Sequence, residues 1–253
     1  MKIHSLLAAA SCLLASQAAL AFGSLADVSI HDRKASRVLP VYQAYDGAYV
    51  AGTPGNEYAI RIRNRSDSDV LAVVSVDGVN VVTGETASPQ QSGYVIPARG
   101  YLEIKGWRKS LQRIAAFYFT DLGDSYAART GRPDDVGVIG VALFKRKPEP
   151  KVELEYQRDR REQSAAPASD SAASGSARAS EKAASPAPSL GTGHGRGETS
   201  HARYVGFERE SSSPNEVIAL RYDSRENLVA MGVIPERRPR PDPFPAAFVP
   251  DPN

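Results

Sequence analysis

The feature that most restricts the fold of this chain is a period-two alternation. Tyr58, Ile60 and Ile62 alternate with Ala59, Arg61 and Arg63. A strand points successive side chains to opposite faces, so this spacing sends tyrosine and isoleucine to a buried face and arginine to water. The same texture extends over residues 38–147, in runs rich in Val, Ile, Tyr and Phe cut at short intervals by turn residues. Two Asp-Gly pairs predict hairpins: Asp46-Gly47 after Val41–Tyr45, and Asp77-Gly78 between the apolar runs Val70–Val76 and Val79–Val82. Asp-Gly accepts the positive φ angles of the tight turn whose twist matches its flanking strands. Further strands are predicted over Tyr101–Trp107, Ile114–Thr120 and Val136–Phe144. Asp124 or Ser125 can cap a helical turn at Tyr126–Arg129 that Gly131 and Pro133 end, and Ser110 is predicted to open a second short helix. The fold class read from this pattern is all-β, an antiparallel β-sandwich of immunoglobulin-like or related type.

Composition breaks the chain into segments. Residues 157–190 are Ala, Ser, Pro and charge, with no large aliphatic until Leu190. Such a stretch buries too little apolar surface to offset the entropy of ordering it, so a disordered insert is expected over 148–190. Residues 203–234 turn apolar again and predict a hairpin: Val217–Tyr222 and Leu228–Ile234 around Asp223-Ser224-Arg225-Glu226-Asn227, with Ile218, Leu220 and Tyr222 on one face. A block this small does not fold alone without a disulfide, metal or partner. The segment 191–235 is therefore expected to pack on the sandwich of 38–147. A flexible insert of this length has a mean span on the order of 30 Å, enough to cross such a domain. Residues 236–253 are proline-rich and read as an extended tail, and 22–37 as an N-terminal extension.

The chain opens on Met1-Lys2 and an apolar run from Ile3 to Leu20, broken by Ser5, Ser11, Ser16 and Gln17 and ending in Ala19-Leu20-Ala21. That is the layout of a cleaved signal peptide over 1–21, leaving Phe22 first. A transmembrane helix needs roughly 20 nearly continuous apolar residues, so no transmembrane segment is expected after cleavage. Lipidation at Cys12 is disfavoured by Ala9 at its −3 position. Cys12 is the only cysteine, and its loss with the signal removes disulfide and thiolate chemistry from a periplasmic or secreted protein. Without Lys2 the formal charge is +1, from 30 Lys and Arg against 29 Asp and Glu. A near-neutral chain has no net field to attract nucleic acid.

Several stretches are familiar together: Val76-Asp77-Gly78-Val79-Asn80, Gly106-Trp107-Arg108-Lys109-Ser110, Ser125-Tyr126-Ala127-Ala128-Arg129-Thr130-Gly131, Gly191-Thr192-Gly193-His194-Gly195 and Tyr222-Asp223-Ser224-Arg225-Glu226-Asn227-Leu228. In this order they resemble a family of uncharacterised exported proteobacterial proteins. The resemblance covers about residues 38–147 and 190–235. It implies export, and it carries no activity and no functional residue.

Chemistry-bearing motifs are sparse. Gly191-Thr192-Gly193-His194-Gly195 lacks the third glycine context of a dinucleotide loop and the Gly-Lys-Ser/Thr ending of a phosphate loop. It is read as the flexible end of the insert. His194, Glu198 and His201 mix imidazole and carboxylate as zinc sites do, but the histidines are seven apart in a glycine-rich stretch, and His31 offers no obvious third ligand. They stand as weak metal candidates. No Gly-x-Ser-x-Gly elbow is present, and the carboxylate pairs Asp67/Asp69 and Asp134/Asp135 lie beside turn residues, where Asp caps backbone groups. Trp107 and Arg108 are weak interaction candidates, Trp107 reading as core and Arg108 as surface. No catalytic residue and no cofactor is expected. The functional expectation is a non-enzymatic module of the bacterial envelope that binds another envelope protein or has a structural role. Two alternatives stand beside it: a metal-binding protein or metal-dependent hydrolase using His194 and His201, and a chaperone-like or pilus-biogenesis sandwich acting by strand addition.

Overall fold

The computed structural model describes residues 21–148 and 189–236. Of the stretch expected to be a signal peptide (1–21) all but Ala21, of the expected insert (148–190) residues 149–188, and of the expected tail (236–253) all but Glu236 lie outside the described residues. In chain order the strands are β1 (Ala21–Phe22), β2 (Ala26–Asp32), β3 (Arg37–Val38), β4 (Val41–Ala44), β5 (Gly47–Gly52), β6 (Glu57–Asn64), β7 (Val70–Val76) and β8 (Val79–Asn80). There follow β9 (Tyr94–Ile96), β10 (Tyr101–Ile104), β11 (Gly106–Arg108), β12 (Arg113–Asp121), β13 (Val138–Lys145), β14 (Leu190–Thr199) and β15 (Glu216–Ser224). Two short helices, α1 (Tyr126–Arg129) and α2 (Arg225–Ala230), complete the described chain with two single 3-10 turns.

The strands form two packed sheets, an all-β sandwich. In the first, β2 lies beside β6, β10 and β11 lie between β6 and β12, and β14 closes the far side of β12. In the second the order is β4–β5–β15–β13–β7, with β8 and β9 along the remaining edge of β7. Every pairing is antiparallel except β5 with β15. The inner faces share one core that includes Val28, Ile30, Ile60, Val74, Phe117, Val141 and Leu220. Within it Tyr58 stacks on Phe119 with ring centres 4.3 Å apart, and Trp107 meets Phe117 edge-on at 5.1 Å.

Both Asp-Gly pairs make the expected hairpins, β4–β5 and β7–β8. At the second, Asp77 and Gly78 both take positive φ, +51° and +69°. A β-carbon on Gly78 would also lie 2.7 Å from Asp135. Ser125 caps α1 through the amide of Ala128.

Other expectations fail for identifiable reasons. The stretch expected to be an extension, 22–37, contains β2, paired along β6 with Val28 and Ile30 fully buried; its short alternation stands next to the apolar run read as an export signal. Ser110 starts no helix, because Lys109 and Ser110 close a hairpin turn onto the carbonyl of Arg113. The predicted C-terminal hairpin is a strand and a helix: Ser224 accepts from the Asn227 amide as an N-cap, so Leu228 follows in α2 and buries against Tyr49. Not all of the apolar residues in 203–234 are covered: Val205 and Val217 are 48 % and 62 % exposed.

The segment after the insert enters both sheets. β14 pairs along the whole of β12, and β15 lies between β5 and β13 in the middle of the second sheet. Leu190, Ile218, Leu220 and Tyr222 are buried. Each large apolar side chain removed from water stabilises by about 1.5–3 kcal/mol. Closing the insert into a loop costs only about 0.6 kcal/mol more per doubling of length.

Polar contacts lock this arrangement from inside. The carboxylate of Asp77, wholly buried at the β7–β8 turn, accepts from the Tyr222 hydroxyl, from the Thr192 amide at 2.7 Å and from the Gly137 amide at 3.0 Å. The Thr192 hydroxyl bridges Tyr222 at 2.7 Å and Tyr58 at 2.6 Å. An ionised carboxylate can only accept. The protons of the chain are then ordered one way, from Tyr58 to Thr192, from Thr192 to Tyr222 and from Tyr222 to Asp77. Burial, and next the facing Asp77 charge, push both phenols well above their usual range, so they remain donors. Burial raises Asp77 itself from 3.8 to about 6, against the lowering effect of its hydrogen bonds.

Two outcomes follow from this packing. A chain stopped after Lys147 loses the central strand of one sheet and an edge strand of the other, and should aggregate or unfold. Full-length protein cut by protease within the insert should elute from gel filtration as one associated particle, and separate fragments would refute the shared fold. Secondly, a carboxyl whose folded pKa lies above its unfolded value contributes stability that is complete below pH 3.8 and is lost as pH rises through about 6. Relative to Asp77→Asn, the wild type should therefore lose stability between pH 4 and pH 6.5, by something on the order of 3 kcal/mol. Urea unfolding of both proteins across that range checks it, and a pH-independent difference would contradict it.

Candidate functional site

The same strand that sends Tyr58 inward sends arginines outward. On the outer face of the first sheet the registers set out two rows. Asp27, Arg63 and Tyr101 lie across β2, β6 and β10, and Ser29, Arg61 and Glu103 form the next row. Arg65 continues the spacing just past β6, its amide bonded to the carbonyl of Leu25. Arg99 leans in from the turn before β10, where it takes a positive φ of +57°. All of these but Arg65 border an open groove of about 620 Å³. A second hollow of about 310 Å³ adjoins it, between Asp27, Arg63, Asn64, Arg65 and Arg99. Tyr101 stands 78 % exposed at its side.

The groove carries a mixed charge pattern. Arg61 bonds Glu103 at 2.7 Å, and Lys105 reaches the same carboxylate at 3.1 Å. Partial burial alone would raise Glu103, but these two bonds outweigh it and hold the carboxyl below its usual range. Arg65 reaches Asp27 at 3.3 Å and Arg99 reaches Asp67 at 2.7 Å. The side chain of Arg63, in the middle, makes no ion pair and no hydrogen bond among the described residues. Five cations thus stand against three carboxylates, and the unmatched guanidinium is the central one. Partly exposed pairs of this kind contribute about 0–1 kcal/mol each, so an incoming ligand can exchange them at little cost. An open sheet face with an exposed tyrosine and arginine forks can hold an extended or planar partner. It offers no enclosed space and no nucleophile beside a base.

The glycine-rich stretch is not the flexible loop expected of it. Gly191-Thr192-Gly193-His194-Gly195 lies in β14, and its glycines answer to close neighbours. A β-carbon on Gly193 would fall 2.2 Å from the Tyr118 ring, and one on Gly191 would fall 2.5 Å from Ser125. The metal candidates do not converge. Ala115 pairs with Gly197 and Phe117 with His194, so Ala116 faces two residues in a bulge. The extra residue switches faces. His194 lies exposed against the Tyr126 ring, centres 5.7 Å apart, on the face that Thr192 shares, whereas Glu198 falls on the opposite face. Glu198 is held by Arg33 at 2.9 Å and Arg196 at 2.8 Å, in a cluster that Glu57 completes. His201 lies exposed beyond the strand. Partial burial first, then the charges of Lys109 and Arg129, keep the His194 imidazole below its ordinary range. No group of three metal-ligating side chains forms among the described residues.

Trp107 is core, 3 % exposed, and its Nε1–H donates to the Gly193 carbonyl at 3.3 Å. It cannot serve as a surface anchor. Arg108 is half-buried, donating to the Ser200 carbonyl at 2.6 Å and to the Tyr94 hydroxyl at 3.2 Å. It fastens the chain beyond β14. The sequence did show Arg61 and Arg63 facing water. It could not show that Tyr101 and Arg99, nearly forty residues on, border the same groove, because that depends on the register of β10 against β6.

Comparison with protein-family models, with curated proteins and with solved structures finds no match to this chain. No helix among the described residues is long and apolar enough to cross a membrane.

Proposed function

We propose that this chain is an exported, non-enzymatic β-sandwich of the bacterial envelope that binds another envelope protein through the outer face of its first sheet. The observation that carries this reading is the open groove with Tyr101 at its side and the unpaired Arg63 at its centre. Tyrosine and arginine are the residue types that most often anchor protein interfaces, because each offers large contact area together with a polar end. The export signal at 1–21 and the resemblance to exported proteobacterial proteins support the compartment. Strand addition is supported less well. β14 is an edge strand, but it is bulged and carries Arg196 and Glu198, features that discourage a further strand from pairing.

A photo-crosslinking amino acid placed at Tyr101 in the producing bacterium tests the reading. It should yield an adduct of discrete mass, absent when the same group replaces exposed Glu226 on α2, over the other sheet. Equal labelling at both positions, or none at Tyr101, would count against the groove as the binding face.

A further inference from the structure

Arg61, Arg63 and Arg65 form a ladder. They occur at every second position, all on the outer face, because Ile62 and Asn64 between them are buried. In an extended chain, same-face residues repeat at about 6.6–6.8 Å. The three guanidinium stems are therefore set at the spacing at which another extended peptide presents alternate side chains.

We propose that this ladder binds an extended segment of a partner protein carrying carboxylates at every second residue. The proposal rests on the reading of the groove as a binding face and adds the chemistry of what it takes. Guanidinium groups match carboxylates in two-point, planar contacts. Arg63 is the primary receptor, since it has no partner of its own. Arg61 and Arg65 exchange their exposed bonds to Glu103 and Asp27 for those of the ligand. Tyr101, directly across from Arg63 in the register, packs against the stems of the ligand side chains.

The two carboxylates in the same groove select the class of ligand. Asp27 and Glu103 would face a uniformly charged polymer, such as a polyphosphate or a sulfated glycan, with repulsion at every second step. A peptide instead places neutral residues and backbone N–H groups between its acids, and those donors suit Asp27 and Glu103 once their arginines have turned to the ligand. The groove is also open along the strand direction rather than closed around one anion.

The test uses the full mature chain and short fluorescein-labelled peptides read by anisotropy. Alternating Glu-Ser is compared with the same composition with its glutamates contiguous, with alternating Lys-Ser, and with polyphosphate as competitor. The alternating acidic peptide should bind about tenfold or more tightly than either other peptide, lose affinity as salt rises, and resist displacement by polyphosphate. Arg63→Glu should weaken it at least about tenfold and Arg63→Lys less, because the ammonium keeps the charge but not the fork. Melting curves of both variants, expected to overlay that of the wild type as is usual for surface positions, show that the fold is retained. Equal binding of the contiguous peptide, displacement by polyphosphate at matched charge, or an unchanged affinity in Arg63→Glu would overturn the proposal. If Tyr101 still crosslinks a protein in the cell while the acidic peptide fails to bind, the ligand chemistry is wrong and the binding face stands. If both fail, the binding-face reading falls as well.

Discussion

The structure depends on one buried carboxylate. Asp77 sits at a hairpin turn where an unpaired charge would cost several kcal/mol, and it is tolerated because three donors converge on it. Two of those donors, Thr192 and Tyr222, come from beyond the insert, and Thr192 passes the connection on to Tyr58 in the first sheet. Neither stretch of chain can satisfy its own polar groups. The turn at Asp77 needs the amide of β14 and the phenol of β15, and the hydroxyl of Tyr58 needs Thr192. This mutual need fixes how the second segment docks, where apolar burial alone would tolerate more than one placement.

The same strand that holds the buried chain also builds the outer groove. Tyr58 stacks between the sheets on Phe119, and the alternation that carries it inward places Arg61 and Arg63 outside. A slip of one residue in β6 would bury the arginines and expose Ile60 and Ile62, a cost no neighbouring contact could offset. The register of the ladder is thus fixed by the core, and β10 brings Tyr101 and Glu103 to it through direct pairing. Interior and surface are two faces of one register.

Much of the fold could be read from the chain. Period-two alternation and the two Asp-Gly turns place β5 to β8, β12 and β13, because those signals are local. Ser125 as the cap of α1 is equally local. What stayed hidden depends on contacts distant in sequence. Gly191, Gly193 and Gly195 look like a flexible loop until Tyr118, Ser125 and Ala116 are found against them. Leu228 and Val229 suit a strand or a helix, and only the Ser224 cap decides. Asp77 reads as an ordinary turn residue, since nothing nearby shows that it is buried with two phenols and a threonine hydroxyl. The His194, Glu198 and His201 spacing fails through a bulge that pairing with β12 imposes, which no spacing rule detects.

The central claim is that segments separated by the long insert are joined through a single polar chain in the core. A double-mutant cycle on Tyr58→Phe and Tyr222→Phe tests it most directly, because each change removes one hydroxyl and leaves its ring in place. Both hydroxyls meet at the Thr192 oxygen. Urea unfolding of the two single variants and the double variant should give a coupling energy of about 0.5–3 kcal/mol. Strict additivity, within about 0.3 kcal/mol, would mean that the two hydroxyls act independently and that the chain through Thr192 does not hold the segments together.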